Sequence, residues 1–170
     1  MAKEGGGERD VRKWLAVLAG VLILAAVNYT VYQREQLLAA GRVVLLELAP
    51  VDPRSLMQGD YMALRFAVAG EAFGTGDLGN VTADGRLVLQ LDDRGVAEFV
   101  RFDDGTPLAA NEVPLRFRVR AGRPKLATNA FFFQEGTADR YAAARYGEFR
   151  VDTGGKAILT GLRNADLQPP

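Results

Sequence analysis

Residues 113–120 read VPLRFRVR, and their alternation sets the fold class. Leu115, Phe117 and Val119 fall on one side of an extended chain, and Arg116, Arg118 and Arg120 fall on the other. This period of two marks a strand with one face on a core and one in water; a helix would need apolar residues three and four apart. Outward from this stretch the pattern recurs. GRLVLQLDD (85–93) places Leu87, Leu89 and Leu91 on one face, and VAEFVRFDD (96–104) continues the theme. GEFRVD (147–152) and KAILTGL (156–162) fit two further short strands. Upstream, RVVLLELAP (42–50) is a near-continuous apolar run closed by a proline, as in a buried strand. In YMALRFAV (61–68), Met62, Leu64, Phe66 and Val68 alternate with Tyr61, Ala63, Arg65 and Ala67, which predicts one more strand.

The connections carry hairpin chemistry. ADGR (83–86), DDRG (92–95), DDGT (103–106) and DTGG (152–155) are the Asp- and Gly-rich pieces that tight turns use. Only GTADRYAAARY (136–146) reads as a short helix, with Thr137 as its N-cap, and AGEAFGTGDLGN (69–80) reads as a glycine-rich loop. The expected fold is therefore mainly β: an antiparallel β-sandwich or small barrel with one short helix, preceded by one N-terminal transmembrane helix.

That helix is read from WLAVLAGVLILAAVNYTVY (14–32), 19 residues without a charge. As a helix it spans about 28 Å, close to the hydrocarbon thickness of a bilayer. Trp14, Tyr29 and Tyr32 sit where interfacial aromatics belong. Lys3, Arg9, Arg12 and Lys13 precede it, while only Arg34 and Arg42 follow closely. The positive-inside rule then puts the N-terminus in the cytoplasm and the domain outside. LILAA (22–26) offers the small residues of a signal-peptide cleavage site, but the apolar run continues to Tyr32 and the helical pattern continues through QREQLLAAG (33–41). An uncleaved single-pass anchor is the better reading. The expected organisation is a cytoplasmic tail (1–13), an anchor helix and its extension (14–40), an extracytoplasmic β-domain (41–163) and a flexible tail (164–170), with Gly41 stopping the helix. The domain is thus expected on the outer side of the cytoplasmic membrane.

Composition narrows the chemistry. Lys plus Arg and Asp plus Glu are balanced at 21 each, so nothing suggests bulk attraction to nucleic acid. The chain has neither cysteine nor histidine, which removes disulfides, thiolate sites and the commonest general base and metal ligand. No cofactor or metal is expected. The pairs Asp92–Asp93 and Asp103–Asp104 lack the alternating spacing of a calcium loop and sit where hairpins place an Asp. The arginines of 115–120 could meet anionic lipid headgroups or another protein; a solvated face that also blunts a sheet edge is the plainer reading. In AFFFQEG (130–136) the three phenylalanines cannot all share one strand face, so at least one projects away from the core. If that is Phe132, it needs cover from the short helix, lipid or a partner, although packing within the domain is favoured.

Residues 50–66, PVDPRSLMQGDYMALRF, hold the most distinctive step. Type I signal peptidases carry Ser-Met-x-Pro-Thr-Leu-x-x-Gly-Asp with a serine nucleophile and a lysine base. Aligned on Gly59–Asp60, the nucleophile position holds Val51, the methionine position Asp52, the proline position Arg54 and the threonine position Ser55. The lysines beyond the anchor, Lys125 and Lys156, lie in turn-like settings, whereas a serine–lysine dyad needs a desolvated lysine in reach. A degenerate hydrolase using Ser55 with Lys125 is thus a minor alternative; an envelope ligand-binding module built on the arginine stripe and the glycine-rich loop is another.

Gly59-Asp60-Tyr61-Met62-Ala63-Leu64-Arg65-Phe66 resembles the motif of the GDYXXLXY family of bacterial membrane-anchored proteins, with Phe66 in place of the final tyrosine. LLELAPVDPRSLMQGDY, LDDRGVAEFVRF, FFFQEG and YGEFRVDTGGKAILTGL also resemble the family's course, over most of residues 42–162. The resemblance implies an anchored extracytoplasmic domain without an assigned activity. Members are often encoded beside, or fused to, polytopic membrane proteins, which suggests an accessory or assembly subunit; no catalytic residues are implied. The motif also makes physical sense as a turn that sets a strand register. Pro53 favours a turn, Gly59 permits positive φ, and Asp60 can accept bonds from backbone amides or Arg54. The candidate partner-binding residues are Arg54, Asp60 and Tyr61, with Phe131, Phe132 and Phe133 as a second contact.

Overall fold

The computed structural model describes residues 6–49, 57–58, 61–74, 83–120 and 123–170. The chain divides into an N-terminal helical unit and a unit from Ala40 to Pro170. Helix α1 runs Gly6–Ala40, so it begins inside the expected tail and stops where Gly41 was read as the breaker. Val11–Ala40 is long and apolar enough to cross a membrane. Two polar side chains in the apolar stretch bond back to their own helix: Asn28 Nδ2 donates to the Leu24 carbonyl and Thr30 Oγ1 to the Ala26 carbonyl, both at 2.9 Å. This removes unsatisfied groups that would be costly in lipid.

The second unit is mostly antiparallel β. In chain order it contains β1 (Arg42–Glu47), β2 (Met57–Gln58), β3 (Tyr61–Ala63), α2 (Ala67–Phe73), β4 (Gly85–Leu91) and β5 (Ala97–Phe102). It continues with β6 (Glu112–Arg120), β7 (Arg123–Leu126), β8 (Ala130–Phe132), α3 (Ala138–Tyr141), β9 (Tyr146–Val151) and β10 (Ala157–Arg163). Three sheets result, with strand orders β1-β9-β10, β2-β3-β8 and β5-β4-β6-β7. All contribute to one core that includes Leu46, Met62, Phe66, Val68, Leu87, Leu89, Leu115, Phe117, Leu126, Phe149 and Leu162. The alternation in β6 is as expected: Leu115 and Phe117 are buried, and Arg116, Arg118 and Arg120 are exposed. In β4 the intervening Val88 is buried as well as Leu87 and Leu89, so this inner strand is covered on both faces there.

Local bridges close the sheets on one another. Leu45 pairs with Val96 in parallel and donates its amide to the Gly95 carbonyl, joining β1 to the β4–β5 turn. At the other side, the Arg116 amide donates to the Gly155 carbonyl at 2.8 Å, joining β6 to the β9–β10 turn. The turn chemistry works through side chains. Asp92 Oδ1 accepts from the amides of Arg94 and Val96, Asp103 Oδ1 from Gly105, and Asp104 Oδ1 from Thr106. Asp152 Oδ1 does the same for Gly154 and Lys156.

Several expectations are corrected. The strand read over 61–68 ends at Ala63, and residues 67–73 form α2, which takes the first part of the loop read over 69–80. Ala67, Ala69, Glu71 and Ala72 favour a helix, and Val68 is buried on its inner side. Gly74, with φ of 72°, then ends it. Thr137 does occupy the N-cap position of α3, but its hydroxyl donates to the Gln134 carbonyl and caps no helix amide. β6 lies between β4 and β7, so its arginines do not blunt an edge. Lys125 lies in β7 and not in a turn. In residues 164–170, read as a flexible tail, Asn164 Oδ1 accepts from the amides of Asp166 and Gln168, and Arg140 Nε donates to the Pro170 carbonyl at 2.8 Å.

Candidate interaction site

The GDY-bearing strand and the triple-phenylalanine strand are neighbours. β3 pairs with β2 on one side and with β8 on the other. Tyr61 lies opposite Phe132, Met62 opposite Phe131 and Ala63 opposite Ala130. Because directly opposed residues of an antiparallel pair share a face, this register sorts the aromatics into two groups.

On the inner face, Met62, Leu64 and Phe66 are all buried and belong to the core. Phe66 meets Phe149 edge to face at 5.5 Å between ring centroids. Gly147 lies beneath both rings: a Cβ there would come within 3.0 Å of Phe149 and 3.3 Å of Phe66. Phe66, which stands where the motif ends in tyrosine, is thus a core ring in this chain. Phe131 and Phe133 are half-buried and converge on Tyr141 of α3, with centroids at 5.0 Å edge to face and 5.4 Å stacked.

On the outer face, Tyr61 and Phe132 form a tilted ring pair at 5.9 Å. Tyr61 is half-buried and Phe132 is 75% exposed. Packing within the domain therefore holds for Phe131 and Phe133 and fails for Phe132. The physical reason is the strand pleat: Phe132 sits between two positions already committed to the Tyr141 side. α3 does not cover it, since α3 engages its two neighbours.

Of the six residues singled out in the sequence, the structure brings Tyr61, Phe131, Phe132 and Phe133 together on one small sheet. Arg54 and Asp60, with Gly59 and Ser55, lie outside the described residues. Tyr141, the residue that sorts the phenylalanines, was visible in the sequence only as part of a short helix following them. Among the described residues, no group of three acidic side chains has metal-binding geometry. Lys125 and Lys156 are exposed, unlike the desolvated base that a serine–lysine dyad requires.

Several carboxyls carry a clear electrostatic signature, all of them in turns or loops. Asp92 is held below the usual carboxylate range chiefly by the Val96 amide, Asp103 by the Gly105 amide and then Arg86, Asp104 by the Thr106 amide, and Asp84 by the Val119 amide. These are structural carboxylates, each bonded in its ionised form.

A family model described as GDYXXLXY protein matches residues 23–162, beginning within α1 and running through β10. No curated protein and no solved structure matches the chain. The chain belongs to the GDYXXLXY family.

Proposed function

We propose that this GDYXXLXY-family chain is a non-enzymatic accessory or assembly subunit of a polytopic membrane protein. In this reading α1 is a single-pass anchor in the bacterial inner membrane, with residues 14–32 in the bilayer, the N-terminus in the cytoplasm and the β-domain in the periplasm. The observation that carries it is Phe132, which stays exposed beside Tyr61 while Phe131 and Phe133 on either side of it pack on Tyr141. An exposed aromatic ring such as Phe132 is the kind of side chain that interfaces favour as an anchor. Asp60, next to Tyr61 in sequence, and Arg54, a few residues earlier, are the polar candidates for the same partner.

Affinity purification of the full chain from detergent-solubilised membranes tests this. An integral membrane protein should co-purify with the native chain and be lost with Phe132→Glu, while the melting temperature of the variant stays near native. Retention of the same protein by Phe132→Glu would remove the site from the interface. Labelling of Ser55 by an active-site serine probe, abolished in Ser55→Ala, would instead establish the hydrolase alternative.

A further inference from the structure

The outer face of the four-stranded sheet carries charges that packing does not call for. We propose that this face docks on anionic lipid headgroups of the bilayer, a proposal that rests on reading α1 as a membrane anchor. The strand register sets Arg118 directly opposite Lys125 and Arg86 directly opposite Arg116. The two pairs share one face, because Arg116 and Arg118 are two residues apart on β6. Like charges directly opposed across a sheet are destabilising.

Some of these cations are offset within the domain. Arg86 pairs with Asp103, Arg116 Nε donates to the Gly154 carbonyl at 2.7 Å, and Arg120 pairs with Asp84 at 3.2 Å. Arg118 and Lys125 are less well offset: both are exposed, and among the described residues neither forms a salt bridge, although Asp84 attracts Arg118 from a distance. The fold keeps them side by side, flanked by Arg116 and Arg120. Anionic phosphate groups of lipid headgroups would offset that repulsion.

Chain connectivity favours lipid over a soluble polyanion. With residues 14–32 in the bilayer, only the helix extension 33–40 and Gly41 separate it from β1, which begins at Arg42, so the tether is short. A domain tethered this closely meets the membrane at high effective concentration, where even weak pairing is sufficient. Each basic residue near an anionic bilayer contributes about 1 kcal/mol, and the effect fades within a Debye length.

The chain has no cysteine, so Ala127→Cys, exposed just after β7, accepts a single fluorophore. The full chain is placed in nanodiscs of phosphatidylcholine with or without phosphatidylglycerol, each containing a lipid with a headgroup quencher. Quenching should be severalfold stronger in the anionic discs, and should be lost in high salt and in Arg118→Glu/Lys125→Glu with unchanged melting temperature. Equal quenching in both discs, or quenching that survives the charge reversal, overturns the proposal. Relief by a soluble anionic polymer at constant ionic strength would assign the face to an envelope polymer and overturn the lipid assignment. A chain that fails to enter the discs overturns the anchor reading, and the docking with it.

Discussion

Gly155 and Arg116 are fastened to each other through their backbones: the Gly155 carbonyl accepts the Arg116 amide at 2.8 Å. Gly155 has a φ of 82°, and a Cβ on it would lie 3.1 Å from the Arg116 nitrogen and 3.3 Å from the Pro114 carbonyl carbon. Both neighbours are backbone atoms of β6 and have little freedom to retreat. Gly155→Ala should therefore destabilise the domain by about 1–3 kcal/mol, combining positive-φ strain with a close contact. A thermal melt checks it, and an unchanged midpoint would show that this turn is not held against β6.

Two phenylalanines should respond oppositely to truncation. Phe149 is fully buried and meets Phe66, so Phe149→Ala should cost about 3–5 kcal/mol in denaturant unfolding. Phe132 is 75% exposed, and Phe132→Ala should change stability by no more than about 1 kcal/mol. If Phe132→Ala unfolded the domain, the ring would have a structural role that its exposure contradicts.

The pairing of Tyr61 with Phe132 predicts a coupling energy. A double-mutant cycle with Tyr61→Ala and Phe132→Ala should return about 0.5–1 kcal/mol of interaction, typical of a cross-strand aromatic pair. A value near zero would mean that the two rings are neighbours without mutual stabilisation.

Acid should weaken the turns. Asp84, Asp92, Asp103 and Asp104 sit below the ordinary value of 3.8 because backbone amides bond their ionised forms. A folded-state value below the unfolded one means that the unfolded chain binds more protons in between. The contribution is then complete above 3.8 and is lost as pH falls through the lower folded values. The melting temperature should be little affected by these groups above about pH 5 and should fall below about pH 4. In Asp92→Asn the acid-induced drop should be smaller, since one titrating group is gone. An equal drop in the variant would discount Asp92.

Much of the β-architecture is legible locally. β1, β4, β5, β6, β9 and β10 all follow apolar runs or period-two alternation, and their turns announce themselves through Asp and Gly. α2 is not, because Phe66 and Val68 extend the alternation of Met62 and Leu64 across the point where the chain changes conformation. Phe66 is the N-cap of α2 in extended geometry and carries no oxygen to cap it, so the usual start signal is missing. β7 is hidden by Pro124 and its charges, and β8 by its three-residue length. At the site, the sequence supplies the aromatics but not their partners. Tyr61 and Phe132 are brought together by the register of β3 on β8, a long-range choice that no local pattern encodes.

The register of β1 has a consequence for how the domain is made. β1 pairs along its length with β9, Arg42 with Val151 through Glu47 with Tyr146. The first strand to be synthesised must therefore wait for nearly the last. Until β9 emerges, the apolar run from Val43 to Leu46 has, among the described residues, no ladder to join beyond the bridge at Leu45. Such a topology folds late and slowly, because a long loop must close before the pairing can form. Vectorial emergence during synthesis thus exposes β1 as an unsatisfied edge, and the rate of synthesis becomes part of the folding problem.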